Sequence, residues 1–477
     1  MNSKRIISGL LALSLVFGGA LMPNGALKNI ASVSASAETV KYGDFICNLR
    51  DDDTAEIVRY MGSDADIEIP SDIDEVSITS IGSGAFSGCK SLVNVVIPDS
   101  ITSMGSAVFM SCTKLETITL SANIDTIGDA VFNGCSALKA IEIPDSVTSI
   151  GMASFNGCIN LENLVLSNNL ETIGDAAFYK CSSLNEIVIP DSVTSIGNSV
   201  FSACSALESV TLSENIQSVG ESTFANCKKI KNIVIPDGVE SIGDEAFAEC
   251  AGLESVTLSK NLTTIGVGAF EGCSALESIT LPENLKNIGQ SAFGSCMLIK
   301  SVVIPDGAET IGSGAFSWCN GLESITIPKS VTEIGEDMVT YYDASAKKTV
   351  PADNVTIICY TNSAAHKYAS ENKLKFELLD AAKPAYPKNI KVDYSEEYHQ
   401  IRFTWDKVEN AQQYGIAVYL AGKWRIQTQK IPASTTSYTT PKNLTPGKSY
   451  KVAIAAKVDG KWDTANAIKN AVTVTVK

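Results

Sequence analysis

The sequence predicts a parallel repeat solenoid followed by an all-β sandwich, and three observations lead there. Eleven cysteines, from Cys89 to Cys319, occupy every twenty-third position, and a Phe stands three places before each, from Phe86 to Phe316. A Gly recurs with the same period from Gly82 to Gly312 and again at Gly335. Beyond about residue 388 the period vanishes, and short alternating segments separated by turn residues take over. Self-similarity at a fixed period of this length marks stacked structural repeats, and evenly spaced short strands mark a sandwich.

Each segment follows in order. Residues 1–37 contain no acids, carry Lys4 and Arg5 ahead of an apolar stretch from Ile6 to about Leu21, and end Ala35-Ser36-Ala37. This is the pattern of an export signal, and Gly18, Gly19, Pro23 and Gly25 interrupt the run that a membrane anchor needs. The mature chain is therefore expected to be secreted, with no transmembrane segment. Residues 38–80 read as an N-terminal cap and first rung, with Asp51-Asp52-Asp53 in a hairpin turn. Residues 81–335 read as the solenoid, 336–381 as a closing cap of strand, helix and strand, 382–388 as a linker around Pro384 and Pro387, and 389–477 as the sandwich.

One repeat shows the logic. Leu92, Val95 and Ile97 have the spacing of a short strand turning apolar side chains inward, and Pro98-Asp99-Ser100 ends it. Ile101 and Met104 return to the core, and Gly105 is expected to allow a tight turn. Ala107, Val108, Phe109 and Cys112 have short helical spacing, so the convex side is expected to be short helices or irregular chain. Phe86, Cys89, Phe109 and Cys112 are the first members of the repeating core. A dozen such rungs, ~4.8 Å apart, make a body roughly 55 Å long. A second period is superimposed: the residue after the strand alternates Pro98, Ser121, Pro144, Ser167 and onward to Pro282, then stays Pro at Pro305 and Pro328. That alternation is the mark of a duplicated two-rung block.

The repeat I-P-D-S-V-T-S-I-G-x-x-x-F-x-x-C-x-x-L resembles the BspA-like leucine-rich repeats of bacterial and protist surface proteins, over about residues 65–335. The resemblance implies a leucine-rich repeat solenoid at the cell surface or outside it, acting in adhesion or protein binding rather than catalysis. The C-terminal segment resembles a fibronectin type III domain, an immunoglobulin-like sandwich. Trp405 falls at its buried tryptophan and Leu444-Thr-Pro-Gly-Lys-Ser-Tyr450 at its tyrosine corner.

Charge limits the partners. Lys and Arg number 37 against 53 Asp and Glu, a net of −16, which argues against nucleic acid. Residues 38–382 carry −27 and residues 383–477 carry +8. With two histidines and no C-x-x-C pair, metal and cofactor chemistry is not expected. Neither G-x-S-x-G, H-E-x-x-H nor a P-loop occurs, so the sequence predicts no enzyme. The ladder of cysteines is expected to be buried apolar thiols. The Asp of each I-P-D (Asp99, Asp145, Asp191, Asp237, Asp306) is expected to form turns.

The exposed strand face is the candidate binding surface for an extracellular protein or glycan. Its outward positions include Thr117, Thr119, Glu142, Glu186, Ser209, Thr211, Ser255, Thr257, Ser278, Thr280, Ser324 and Thr326. No aromatic residue and no Arg stands there, so strong contact hot spots are lacking. Glu116, Glu162, Glu208, Glu254, Glu277 and Glu323 form an acidic stripe beside it, suited to a basic partner or to solubility. A structural spacer with no ligand, and a glycan-binding accessory protein, are the alternative readings.

Overall fold

The computed structural model describes residues 39–343, 348–380, 386–458 and 460–477. The export-signal reading and most of the 382–388 linker lie outside the described residues. The chain opens with an antiparallel meander of Thr39–Tyr42, Phe45–Leu49 and Thr54–Tyr60, with Asp51 to Asp53 in the last turn. Thr54–Tyr60 then pairs in parallel with Val76–Ile81, and Asp66–Glu68 pairs in parallel with Asn94–Val96. From these two starts run two parallel ladders, one of longer strands such as Thr117–Thr119 and one of shorter strands such as Thr126–Ile127.

The third side of each rung is an arc of turns, the irregular form of the convex side. No helix forms in any described rung, because two residues per arc adopt left-handed backbone. Ala107 (φ 58) and Ser111 (φ 60) do so in one rung, and Ala176 (φ 54) and Lys180 (φ 60) in another. Cross-rung bonds hold the arc instead: Ala107 N donates to Asp129 O and Phe109 N to Val131 O, both at 2.8 Å. Inside the arc, Phe86 through Phe316 form one stack, as offset aromatic packing favours. Neighbouring ring centroids lie between 5.0 Å, at Phe86 and Phe109, and 5.7 Å, at Phe109 and Phe132.

The periodic glycine does not serve the turn expected of it. Gly105 and Gly197 lack the positive φ of Gly84 or Gly157. A Cβ on Gly197 would press on Asp175 Oδ1 and lie 2.6 Å from Asp175 N. Gly is required because the neighbouring rung's backbone passes against it.

The Pro/Ser alternation has a physical cause. Ser213 is fully buried, and its Oγ donates to Val193 O at 2.6 Å while accepting from Asn215 N at 3.1 Å. Asn215 Nδ2 donates to Asp191 O at 2.7 Å, and Asp191 Oδ1 accepts from Glu214 N at 3.0 Å. The same clamp joins Asp99 to the Ser121 rung, and its Asp and Asn bonds recur between Asp145 and the Ser167 rung. The Asp of I-P-D therefore holds the next rung as well as shaping its own turn.

The clamp runs from a Pro rung to the following Ser rung. The strand ladder follows suit: Ile143 N bonds Val165 O and Ile189 N bonds Thr211 O, but among the described residues Leu120, Leu166 and Leu212 make no corresponding bond. Thr117–Thr119 meets Ala140–Glu142 at one residue pair, against three within the block that follows. Two rungs are thus one structural unit.

The far end is closed by Thr356–Cys359, which pairs in parallel with Ser324–Thr326 and with Lys375–Leu378, and by the helix Ala364–Glu371, capped by Ser363 Oγ accepting from His366 N. This is the strand, helix and strand expected there.

The C-terminal region is all-β except for one short helix. One antiparallel sheet joins Lys391–Ser395, Gln400–Thr404 and Ser437–Thr439. A second orders Lys423–Pro432, Ala411–Leu420, Ser449–Val458 and Val472–Thr475, and Lys461–Trp462 also pairs with Ser449–Val458. Ile401, Phe403, Trp405, Ile416, Val452 and Val474 belong to a core that shares no residue with that of the solenoid. The strand Ser437–Thr439 and the helix Thr464–Lys469 were not legible from the alternation pattern.

Candidate recognition surface

The longer strands place a flat face along the solenoid. In Thr117–Thr119, Ala140–Glu142 and Glu186–Val188 the outer residues are exposed and the middle one is buried. This puts Thr117, Thr119, Glu142 and Glu186 on the surface, and Ser209, Thr211, Ser255 and Thr257 likewise. Ser278 and Thr280 are exposed on a segment without ladder pairing. Ser324 and Thr326 are half-buried, beside the closing cap's Thr356–Cys359. The columns bond internally. Asn94 donates to Asp66, Thr117 Oγ1 donates to Asn94 Oδ1 at 2.5 Å, and Ser255 Oγ donates to Asn232 Oδ1 at 2.6 Å. The last outward position of each rung reads Val96, Thr119, Glu142, Val165, Val188, Thr211, Val234, Thr257, Thr280, Val303 and Thr326, so exposed valines recur among threonines. Val165, Val188, Val234 and Val303 are 57%, 64%, 62% and 63% exposed.

The acidic stripe is modified by the residues between its members. Its column reads Glu116, Lys139, Glu162, Asn185, Glu208, Lys231, Glu254, Glu277, Lys300 and Glu323. Lys139 pairs with Glu116 at 2.6 Å and Lys231 with Glu254 at 3.2 Å. Lys229 pairs with Glu208 at 2.9 Å, and its hydrogen bond and charge hold that carboxyl below the usual carboxylate range. Glu162, Glu277 and Glu323 are exposed acids of the column. Reading every rung, rather than the acidic ones alone, reveals this alternation from sequence.

The cysteine ladder is buried but not merely apolar. Each thiol from Cys112 onward donates to the carbonyl of the Phe in the preceding rung, as Cys112 Sγ does to Phe86 O at 3.1 Å and Cys204 Sγ to Phe178 O at 3.2 Å. All described cysteines are free. Burial pushes Cys112, Cys158 and Cys204 up to about 12 and Cys47 up to about 11, because a buried thiolate loses its hydration. Cys89, placed with the core from sequence, is only half-buried, because it ends the ladder against the cap.

In the C-terminal region Trp405 is buried, its ring 5.3 Å from that of Tyr414 in an edge-on contact. Tyr450 is half-buried at the edge of the core, contrary to its expected place within it. The fully buried tyrosine is Tyr414, whose hydroxyl accepts from Val408 N at 2.8 Å. Sequence reasoning missed it, although it opens the alternation in Tyr414–Leu420. It also missed the pairing of exposed Tyr419 with half-buried Trp424, set face to edge at 5.4 Å across the hairpin turn at Ala421 and Gly422.

Among the described residues no three His, Cys, Asp or Glu side chains are grouped to hold a metal, and no helix is long and apolar enough to cross a membrane. The described residues line a half-open pocket of about 200 Å³ near Phe316, Cys319 and Val355, and another of about 220 Å³ near Phe403, Leu420 and Tyr450. Both linings are mainly apolar, without a pair of ionisable groups arranged for acid–base work.

The sequence matches the BspA type leucine rich repeat region in six copies, over residues 65–148, 125–254 and 240–365. No curated protein matches the chain. Among solved structures, the pneumococcal vaccine antigen PcpA is 18% identical with a TM-score of 0.50, covering 72% of this chain and 99% of that one. A leucine-rich repeat protein from Bacteroides ovatus is 23% identical (TM-score 0.40; 72% of this chain and 100% of that one). A leucine rich cell surface protein from Faecalibacterium prausnitzii is 24% identical (TM-score 0.39; 65% and 97%). At these identities the likeness is one of fold.

Proposed function

The chain belongs to the BspA-type leucine-rich repeat family, and from that premise we propose that it is an exported, non-enzymatic recognition protein whose strand face binds an extracellular protein or glycan in adhesion. The observation that carries the reading is the face itself. It is long and regular, and it exposes recurring valines among small polar and charged residues. Scattered exposed apolar residues are ordinary on a protein surface, whereas exposed valines recurring at one position of a regular face, among polar neighbours, are the pattern of a repeated interaction site. A repeated weak contact gains strength by multivalency, which suits a face without aromatic anchors. The leader-like residues 1–37 and the surface assignment of the Faecalibacterium relative support a location outside the cell. The C-terminal region is read as a fibronectin type III-like module, supported by its two antiparallel sheets and buried Trp405.

The test is binding of purified residues 38–477 to an array of matrix proteins, mucins and polysaccharides at two salt concentrations. Saturable binding to one class, lost when Val188 and Val234 are both changed to Glu, supports the reading. Binding that the double variant retains places the contact elsewhere. Absence of binding across the array favours a spacer role.

A further inference from the structure

The solenoid and the C-terminal region carry opposite charge and complementary surfaces. Residues 383–477 hold 15 Lys and Arg against 7 Asp and Glu, a net of +8, beside −27 on residues 38–382. The C-terminal region also has what the strand face lacks. In its larger sheet Tyr419 lies opposite both Trp424 and Lys451, and Ala417 lies opposite Ile426. Val418 and Val452 line the inner pocket, so the alternation along the strands turns Tyr419, Trp424 and Ile426 to the open face. Ile426 is 63% exposed and Tyr419 43%. Lys451, exposed and opposite Tyr419, stands on the same face, while Lys423 and Arg425 alternate to the other. Trp, Tyr and Arg are the residue types that dominate contact energies.

The strand face of the solenoid is the matching counterpart. Val188 and Val234 are exposed two rungs apart. That spacing is roughly 10 Å, about the width of the two-stranded patch formed by Tyr419, Trp424 and Ile426. Thr211 stands between them, Glu142 occupies the same column, and exposed Glu162 and Glu186 lie beside it. Valines set among acids on one surface answer an aromatic patch carrying Lys451 in a positively charged region on the other, and charge of this kind steers approach and sets orientation.

We infer that the Trp424 face of one copy docks on the strand face of a second copy, joining chains head to tail. This rests on reading the strand face as a recognition surface, and names a second copy of the chain as its partner. The two surfaces in contact differ, so the contact is heterologous. Each added copy exposes a fresh face at either end, and the product is a chain or ring of copies rather than an isologous dimer.

Sedimentation velocity on residues 38–477 tests this. The chain is expected to form a concentration-dependent series of oligomers at low salt, weakened ~tenfold or more by about 0.5 M NaCl. Trp424→Ala removes one partner surface, and Val188→Glu with Val234→Glu removes the other. Lys451→Glu is a third variant, at an exposed position, that leaves the aromatic pair in place. Each is expected to be monomeric while keeping the circular dichroism of the parent. Mixed in equal amounts, Trp424→Ala and the double Glu variant retain one intact face each, so the mixture is expected to yield heterodimers and nothing larger. A parent chain that stays monomeric at about 100 µM and low salt, well above a µM-class interface, overturns the inference. So does a Trp424→Ala chain that assembles like the parent, or a mixture without heterodimers. A chain that stays monomeric yet binds an array ligand through the strand face overturns self-assembly alone and leaves the recognition reading standing.

Discussion

Replacing Ser213 by Ala tests the claim that two rungs form one unit. The substitution removes a single oxygen from a fully buried site and leaves packing almost unchanged. Two partners lose their bond, Val193 O at 2.6 Å and Asn215 N at 3.1 Å. Asn215 is exposed and water can replace its bond, whereas Val193 is fully buried and its carbonyl cannot be rescued in this way. An unsatisfied buried group costs about 1–3 kcal/mol, so a loss of about 2 kcal/mol is expected. Urea unfolding is the assay, with a midpoint shift of roughly 0.5–1 M for a slope of about 2–3 kcal/mol/M. Repeat arrays need not unfold in one step, so amide exchange supplies the local reading. Amides of residues 190–213 should exchange faster than in the parent, and those of the 98–121 block should not. Ser205→Ala, at an exposed serine, is the control. Its stability should fall within about 0.5 kcal/mol of the parent, as surface substitutions usually do. If Ser213→Ala matches Ser205→Ala, the clamp does not hold the block together.

Other outcomes follow from the same packing. Gly197→Ala should cost more than Gly157→Ala by urea midpoint, despite the positive φ of Gly157. A Cβ at 197 meets backbone, whereas one at 157 meets only atoms 3.8 Å or more away. Phe201, in the middle of the stack, is fully buried. Phe201→Ala should lose about 3–5 kcal/mol by the same assay. The buried thiols make stability depend on alkaline pH. Their folded values lie above the unfolded one near 9, so the folded chain holds protons that the unfolded chain releases. Stability should therefore be level below pH 8 and fall from about pH 9 toward pH 12, and Cys158→Ala with Cys204→Ala should flatten that fall in a pH series of melts. A thiol reagent at pH 8 should label Cys89 first, since it alone among the periodic cysteines is half-buried.

The period, the inward strand residues and the Phe stack were legible because each repeats at a fixed offset in sequence. The strand at Asn94–Val96 falls where the Leu92–Val95–Ile97 spacing puts it. The arcs were not legible as turns, because Ala107 and Ser111 are not residues that announce a left-handed backbone. Cross-rung bonds between Ala107 and Asp129 impose it. The same holds for Gly197, whose role depends on Asp175, a neighbour in the preceding rung. The alternation of Pro98 and Ser121 was visible as a pattern, but its meaning required seeing Ser121 Oγ reach Ile101 O at 2.6 Å. On the candidate surface, exposure of Thr117 and Thr119 was legible from the period of two. The pairing of Glu116 with Lys139 was legible too, one repeat apart along the chain, but only on reading every rung of that column rather than the acidic ones alone. In the C-terminal region Tyr450 drew attention through a motif, while Tyr414 fills the core through the alternation of its own strand.

The central claim is that the strand face is the recognition surface. The most direct measurement is to compare ligand binding, for any ligand the array identifies, between the parent chain and two surface variants of equal size and charge change. One carries Val188→Glu and Val234→Glu on the strand face. The other carries Met152→Glu and Val267→Glu at exposed apolar positions of the turn arc. Loss of binding by the first, at least ~tenfold because two carboxylates would be buried without partners in the contact, with the second unchanged, is the result predicted. Equal binding by the first and loss by the second would contradict the account and move the surface to the arc.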